Sequence, residues 1–189
     1  GSRLAREQLD IARDFGAAMA DASWMVITGA GPGIMAAGIE GAGADMAFGV
    51  NILLPFESTA TEAILGDPKL INFRYFFTRK LTFLRESDAF ALFPGGFGTM
   101  DEAFELLTLL QTGRAQLAPV VLVESPRSSY WKSWRQFVLD ELARRQLIRP
   151  EDLGMVKICD SVDEATEEIT TFYSTYHSQR TVARRPVLR

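Results

Sequence analysis

The run Ala89-Phe90-Ala91-Leu92-Phe93 carries no polar residue and ends on Pro94-Gly95-Gly96-Phe97-Gly98-Thr99, after which helix formers resume. A continuous apolar run of this length is what a central parallel strand covered on both faces requires. Proline stops the strand, and the glycines free the backbone to turn. A strand passed on a short glycine loop to a helix is half of a βαβ unit, and the rest of the chain repeats the alternation. Arg3–Asp21 places Leu4, Leu9, Ile11, Ala12, Phe15, Ala18 and Met19 at helical spacing. Further helices are predicted over Ile34–Ala44, Phe76–Glu86, Thr99–Thr112, Tyr130–Arg145 and Val162–Tyr176. The predicted strands are Trp24–Thr28, Met46–Leu54 (closed by Pro55), Lys69–Phe73, Ala89–Phe93, Pro119–Val123 and Val156–Cys159, and Glu57–Leu65 reads as a loop with room for a short helix.

This order predicts an α/β, Rossmann-like, doubly wound fold: a mostly parallel sheet with helices on both faces, in a single domain spanning residues 1–189. Right-handed crossovers then gather the strand-to-helix loops at the carboxyl edge of the sheet. Residues 178–189 read as a basic tail that reaches over a neighbouring surface. The start of the chain departs from the pattern. A doubly wound domain usually opens on a strand, whereas this chain opens on a helix, so a first strand is expected to have been removed or to lie outside the sequence.

Composition narrows the function. A net charge of −4 and a pI near 5.1 argue against a protein that grips a nucleic-acid backbone. The single cysteine, Cys159, excludes an intrachain disulfide, and with one histidine, His177, it leaves little material for a zinc centre. No apolar run reaches the length of a membrane span. The expectation is a cytoplasmic protein without a resident metal or cofactor. Cys159 reads as a small buried hydrophobe, Trp131 and Trp134 as packing residues, and His177 as a capping or surface residue.

Two glycine loops remain. Thr28-Gly29-Ala30-Gly31-Pro32-Gly33-Ile34-Met35 follows a strand and opens a helix, so Gly31 and Gly33 are candidate ligand contacts. The spacing is one residue short of the dinucleotide fingerprint. Met25 and Met35 flank this loop, either as core or as lining of a base pocket. In the second loop, Gly95, Gly96 and Gly98 let backbone amides converge, and Thr99 is a candidate N-cap and phosphate contact. Asp101 and Glu102 are expected in the first helical turn, where carboxylates favour the helix dipole. No lysine follows the glycines, so this is not a Walker loop.

The stretch Pro94-Gly95-Gly96-Phe97-Gly98-Thr99-Met100-Asp101-Glu102 resembles the signature of the Lonely Guy (LOG) family, once mislabelled lysine decarboxylases. Phe77-Thr78-Arg79-Lys80, Ser87-Asp88-Ala89-Phe90 and Gly31-Pro32-Gly33-Ile34-Met35 are similar to further family pieces, and Phe172-Tyr173 with Tyr176-His177-Ser178 to its longer bacterial branch. The resemblance implies hydrolysis of the N-glycosidic bond of a nucleoside 5′-monophosphate, cytokinin-type or AMP-like, to free base and ribose 5-phosphate. It implies Arg79 and Glu102 as the catalytic pair, Gly95, Gly96, Gly98 and Thr99 around the 5′-phosphate, and a homodimer with the site near its interface. Lys80 is a candidate extra phosphate contact, and Glu105 an outer neighbour of Glu102. A non-enzymatic carrier of a phosphate-bearing cofactor, similar to the molybdenum cofactor carriers, is the alternative. Pyridoxal phosphate chemistry at Lys80 has no supporting pattern.

Overall fold

The computed structural model describes residues 3–53 and 60–183. Pro55, residues 57–59 of the 57–65 loop and residues 184–189 of the tail lie outside the described residues, as do the side chains from Tyr176 onward, His177 included.

The chain alternates as its periodicity predicts: α1 (Arg3–Asp21), β1 (Val26–Thr28), α2 (Ile34–Ala42), β2 (Ala47–Ile52), β3 (Leu70–Phe73), α3 (Phe76–Glu86), β4 (Phe90–Leu92), α4 (Phe97–Gln111), β5 (Val120–Val123), α5 (Tyr130–Phe137), β6 (Val156–Cys159) and α6 (Val162–Ala183). All pairings are parallel. They form two three-stranded sheets, β1-β2-β3 and β4-β5-β6, with helices on both faces.

Strand β5 shows why the fold holds. Its four residues, Val120 to Val123, are all buried. Val121 and Val123 point to one face, against Phe15 and Met19 of α1 and Ala165 and Ile169 of α6. Val120 and Leu122 point to the other, against Leu106 of α4 and Trp131 and Trp134 of α5. The two-residue period of a strand thus feeds two separate helical layers. Trp131 and Trp134 meet edge to face, centroids 5.9 Å apart, and bear out the packing expectation. Cys159 is buried and free, and burial pushes its thiol up to about 11. On the first half, α1 and α2 cross closely enough that a Cβ on Gly41 would lie 1.8 Å from the Arg13 carbonyl oxygen.

Several expectations are corrected. Ala89–Phe93 is not the most buried strand; β4 is only half-buried, because one of its edges has no strand beside it. The strand buried throughout is β5, which has neighbours on both sides. The Tyr130 helix changes to a π-helical turn over Val138–Ala143. α6 runs to Ala183, so the first residues of the expected tail are helical. No described helix is long and apolar enough to cross a membrane.

Candidate functional site

Both glycine loops open into one cleft of about 1290 Å³ at the carboxyl ends of β1 and β4. This is the crevice where ligands bind in doubly wound sheets. Arg79, Gly96, Gly98, Thr99 and Glu102 line it together with Gly29 of the first loop.

The second loop differs in detail from its sequence reading. Helix α4 begins at Phe97, with Gly96 as the capping residue, not Thr99. The backbone explains this. The Gly96 carbonyl already accepts the Met100 N–H at 3.2 Å, which closes the first helical turn three residues earlier than a Thr99 cap would. Thr99 is therefore the third helical residue, and no side chain caps the helix. The amides at positions 96–99 precede the first intrahelical partner. Free amides at the positive end of a helix dipole are suited to an anion. Asp101 and Glu102 lie beyond the first turn rather than in it. Gly95 is required by proximity, since a Cβ there would lie 2.1 Å from Thr99 Oγ1.

Arg79 of α3 faces Glu102 of α4, Nη2 to Oε1 4.0 Å. Both are largely shielded, with side chains 17% and 29% exposed. Burial pulls the Arg79 guanidinium below its ordinary value, with Glu102 opposing. Burial lifts the Glu102 carboxyl above the ordinary range; Lys80 and Arg79 pull it down in part, while Asp101 and Glu105 push it further up. Arg79 Nε is buried without a hydrogen-bond partner, and the guanidinium stands 5.2 Å from the Phe76 ring centroid. A donor left unpaired in a buried position is costly unless a ligand takes it.

Lys80 does not line the cleft. Its Nζ lies 2.8 Å from Asp101 and 2.7 Å from Glu105, so α3 and α4 are bridged by an ionic cluster beside the Arg79–Glu102 pair. Burial lowers the Lys80 pKa, but the hydrogen bonds that the ammonium donates to Asp101 and Glu105 outweigh it and keep it charged. The groups of the cluster are thus mutually compensated. Among the described residues, no group of His, Cys, Asp and Glu is placed to hold a metal.

The first loop contributes mainly through Gly29, whose place a Cβ would occupy 3.8 Å from Arg79 Nη1. Gly31 is crowded by Met35 Cε at 2.6 Å, and Gly33 takes a φ of 79° at the start of α2; neither lines the cleft. Met25 and Met35 are both exposed and both line it, which places them in the pocket rather than the core. Thr28 stabilises the turn, its hydroxyl accepting the Ala30 N–H and donating to the Met35 carbonyl.

Sequence reasoning missed Tyr130. Its hydroxyl donates to the Gly95 carbonyl at 2.6 Å and ties α5 to the second glycine loop. Behind it, the buried Glu124 accepts the Trp131 N–H and fixes the start of α5. No local motif marks a bond across 35 residues, so no spacing rule finds it.

The model of the family described as "Possible lysine decarboxylase" matches residues 32–169. A cytokinin riboside 5′-monophosphate phosphoribohydrolase of Arabidopsis thaliana is 30% identical over 128 residues, covering 63% of this chain and 56% of that protein. A rice protein (Oryza sativa subsp. japonica) named as a "probable" enzyme of the same kind is 39% identical over 61 residues, 32% of this chain and 26% of that one. The chain thus spans between about a quarter and about half of the length of these two relatives. The molybdenum cofactor binding protein of Rippkaea orientalis shares the fold, with a TM-score of 0.63 over 91% of both chains at 19% identity. With the matched segment spanning most of the chain and containing both Arg79 and the glycine loop that leads to Glu102, the protein belongs to the possible lysine decarboxylase, or LOG, family.

Proposed function

We propose that the protein hydrolyses the N-glycosidic bond of a nucleoside 5′-monophosphate. The observation that carries this reading is a carboxylate with a raised pKa, Glu102, facing an arginine one helical turn beyond an uncapped glycine-rich helix start. The 5′-phosphate sits on the amides at positions 96–99, where the helix dipole and free N–H groups favour an anion. That anchor directs the ribose along α4 toward Glu102. Cleavage builds positive charge on the sugar. The C1′–N bond breaks with its electron pair leaving on the base, and a water oxygen bonds to C1′. Glu102 stabilises the charged sugar and takes the water's proton, and the departing base gains a proton. Arg79 keeps its charge and, through its unpaired Nε, donates to the substrate's phosphate or ribose oxygens. The relatives named as phosphoribohydrolases support this assignment.

The proposal extends to a homodimer with the site near its interface. Support comes from an uncovered apolar surface: Phe77 is 69% exposed, Leu81 51% and Phe97 95%, all on the two helices that carry the site. Large apolar side chains left this exposed are the kind that protein contacts cover.

Incubation with AMP and with isopentenyl-AMP, followed by chromatography for free base and ribose 5-phosphate, tests the reading. Glu102→Gln is expected to lower kcat by about 10²–10⁴ while AMP still raises the Tm. Full turnover in that variant would overturn the mechanism. AMP binding by the parent protein without release of base would favour a non-enzymatic binding function, of the kind the molybdenum cofactor binding protein of the same fold is named for.

A further inference from the structure

The second glycine loop contains a peptide unit flanked by glycine on both sides, Gly95 and Gly96. Without a Cβ on either residue, little in the chain itself resists rotation of that peptide plane. Packing does not hold it at Gly96 either, since a Cβ there would meet nothing within 4 Å. Its orientation nevertheless decides what the loop can bind. The peptide is trans, and the C=O and N–H of a trans unit point in opposite directions. With the Gly96 N–H turned to the cleft, the loop presents a donor, as anion-binding backbone does. Flipped, the same unit presents the Gly95 carbonyl oxygen, which repels an anion.

Tyr130 selects between the two. Its hydroxyl donates to the Gly95 carbonyl at 2.6 Å. Gly96 lines the cleft, whereas Gly95 and Tyr130 do not. The carbonyl is therefore drawn away from the cleft toward α5, and the Gly96 N–H of the same unit is left facing the cleft. The phenol is itself anchored. The Tyr130 N–H donates to Ser128 Oγ at 3.2 Å, and the Trp131 N–H to the buried Glu124 carboxylate at 3.1 Å. The Tyr130 ring meets that of the fully buried Trp131 edge to face, centroids 4.9 Å apart. A line of contacts thus runs from the residue after β5, through the start of α5, to the glycine loop.

We propose that Tyr130 is a positioning residue for the phosphoryl group of the substrate: its hydroxyl locks the Gly95–Gly96 peptide with the N–H toward the cleft, and so sets the affinity for phosphate rather than the rate of bond cleavage. This rests on the proposed function in one respect, that the amides at positions 96–99 receive the 5′-phosphate. It does not depend on chemistry at Glu102. Because Tyr130 stands outside the cleft, it has no contact with the ribose or the base, and its loss is felt only by ligands that carry a phosphoryl group. Phenylalanine at this position keeps the ring packed on Trp131 and removes only the oxygen, which leaves the peptide free to flip.

The test compares the parent protein with Tyr130→Phe by calorimetric titration of inorganic phosphate, AMP and adenosine, together with steady-state kinetics on AMP. The variant is expected to bind inorganic phosphate and AMP about three- to tenfold more weakly, as the loss of one hydrogen bond implies, with its affinity for adenosine unchanged. In turnover, KM for AMP is expected to rise by a similar factor while kcat stays within about twofold of the parent. Parental affinity for phosphate and AMP in the variant overturns the proposal. So does an equal loss for adenosine, which marks a general disturbance of the cleft, and so does a fall in kcat with KM unchanged. A parent protein that binds neither phosphate nor AMP overturns it as well. If the parent binds AMP but releases no base, hydrolysis fails as the function, and the phosphate and adenosine titrations still decide the role of Tyr130.

Discussion

At the scale of single residues, Glu102 has a measurable thermodynamic signature. Burial raises its pKa above the ordinary glutamate value of 4.5, despite the opposing charges of Lys80 and Arg79. The folded protein therefore holds a proton on Glu102 to higher pH than the unfolded chain does. The stability gained this way is present below the unfolded value and is lost as pH rises through the raised one. Glutamine does not ionise and carries no such loss. The Tm of Glu102→Gln relative to the parent is accordingly expected to increase as pH rises from the ordinary glutamate range through the raised Glu102 value. A pH-independent difference in thermal melts would show that Glu102 is not held in a proton-retaining environment. Arg79 and Glu102 are legible in the sequence, because each sits within a short motif of recognisable spacing. Tyr130 is not, and Lys80 is legible only as a charge. Its partners Asp101 and Glu105 sit on another helix, and only the packing of α3 on α4 brings the three together.

At the scale of elements, helix positions follow from periodicity, while their ends follow from backbone hydrogen bonds. α4 starts at Phe97 because the Gly96 carbonyl finds the Met100 amide, a preference that side-chain capping rules centred on Thr99 do not capture. The α1–α2 crossing depends on a missing side chain. Gly41→Ala forces a Cβ into the Arg13 carbonyl oxygen at 1.8 Å, a backbone contact that no rotamer change relieves. A loss of about 1–3 kcal/mol or more is expected in denaturant titration. Gly98→Ala meets nothing within 4 Å and serves as the contrast: its fold should be unchanged within about 0.5 kcal/mol. Near-equal stabilities for the two variants would mean that the crossing relaxes at little cost.

At the scale of the whole molecule, two half-sheets flank one cleft, and the helices beside it leave Phe77, Leu81 and Phe97 uncovered. If these side chains form the dimer contact, Phe77→Asp buries a charge there without a partner, which a hydrophobic interface does not tolerate. Analytical ultracentrifugation is expected to show a dimer for the parent protein and a monomer for the variant, with a fall in turnover. A monomeric parent would remove the dimer from the proposal.

The alternation of strand and helix, the parallel pairing and the convergence of both glycine loops on one edge were determined by the sequence alone, because each follows from local periodicity and the handedness of crossovers. The tertiary structure decided which strand is buried on both faces, where α4 begins, which carboxylates hold Lys80, and that β1 and β4 stand apart rather than side by side. These depend on contacts between residues far apart in the chain, and such contacts leave no mark on the spacing of apolar and polar residues within any one segment.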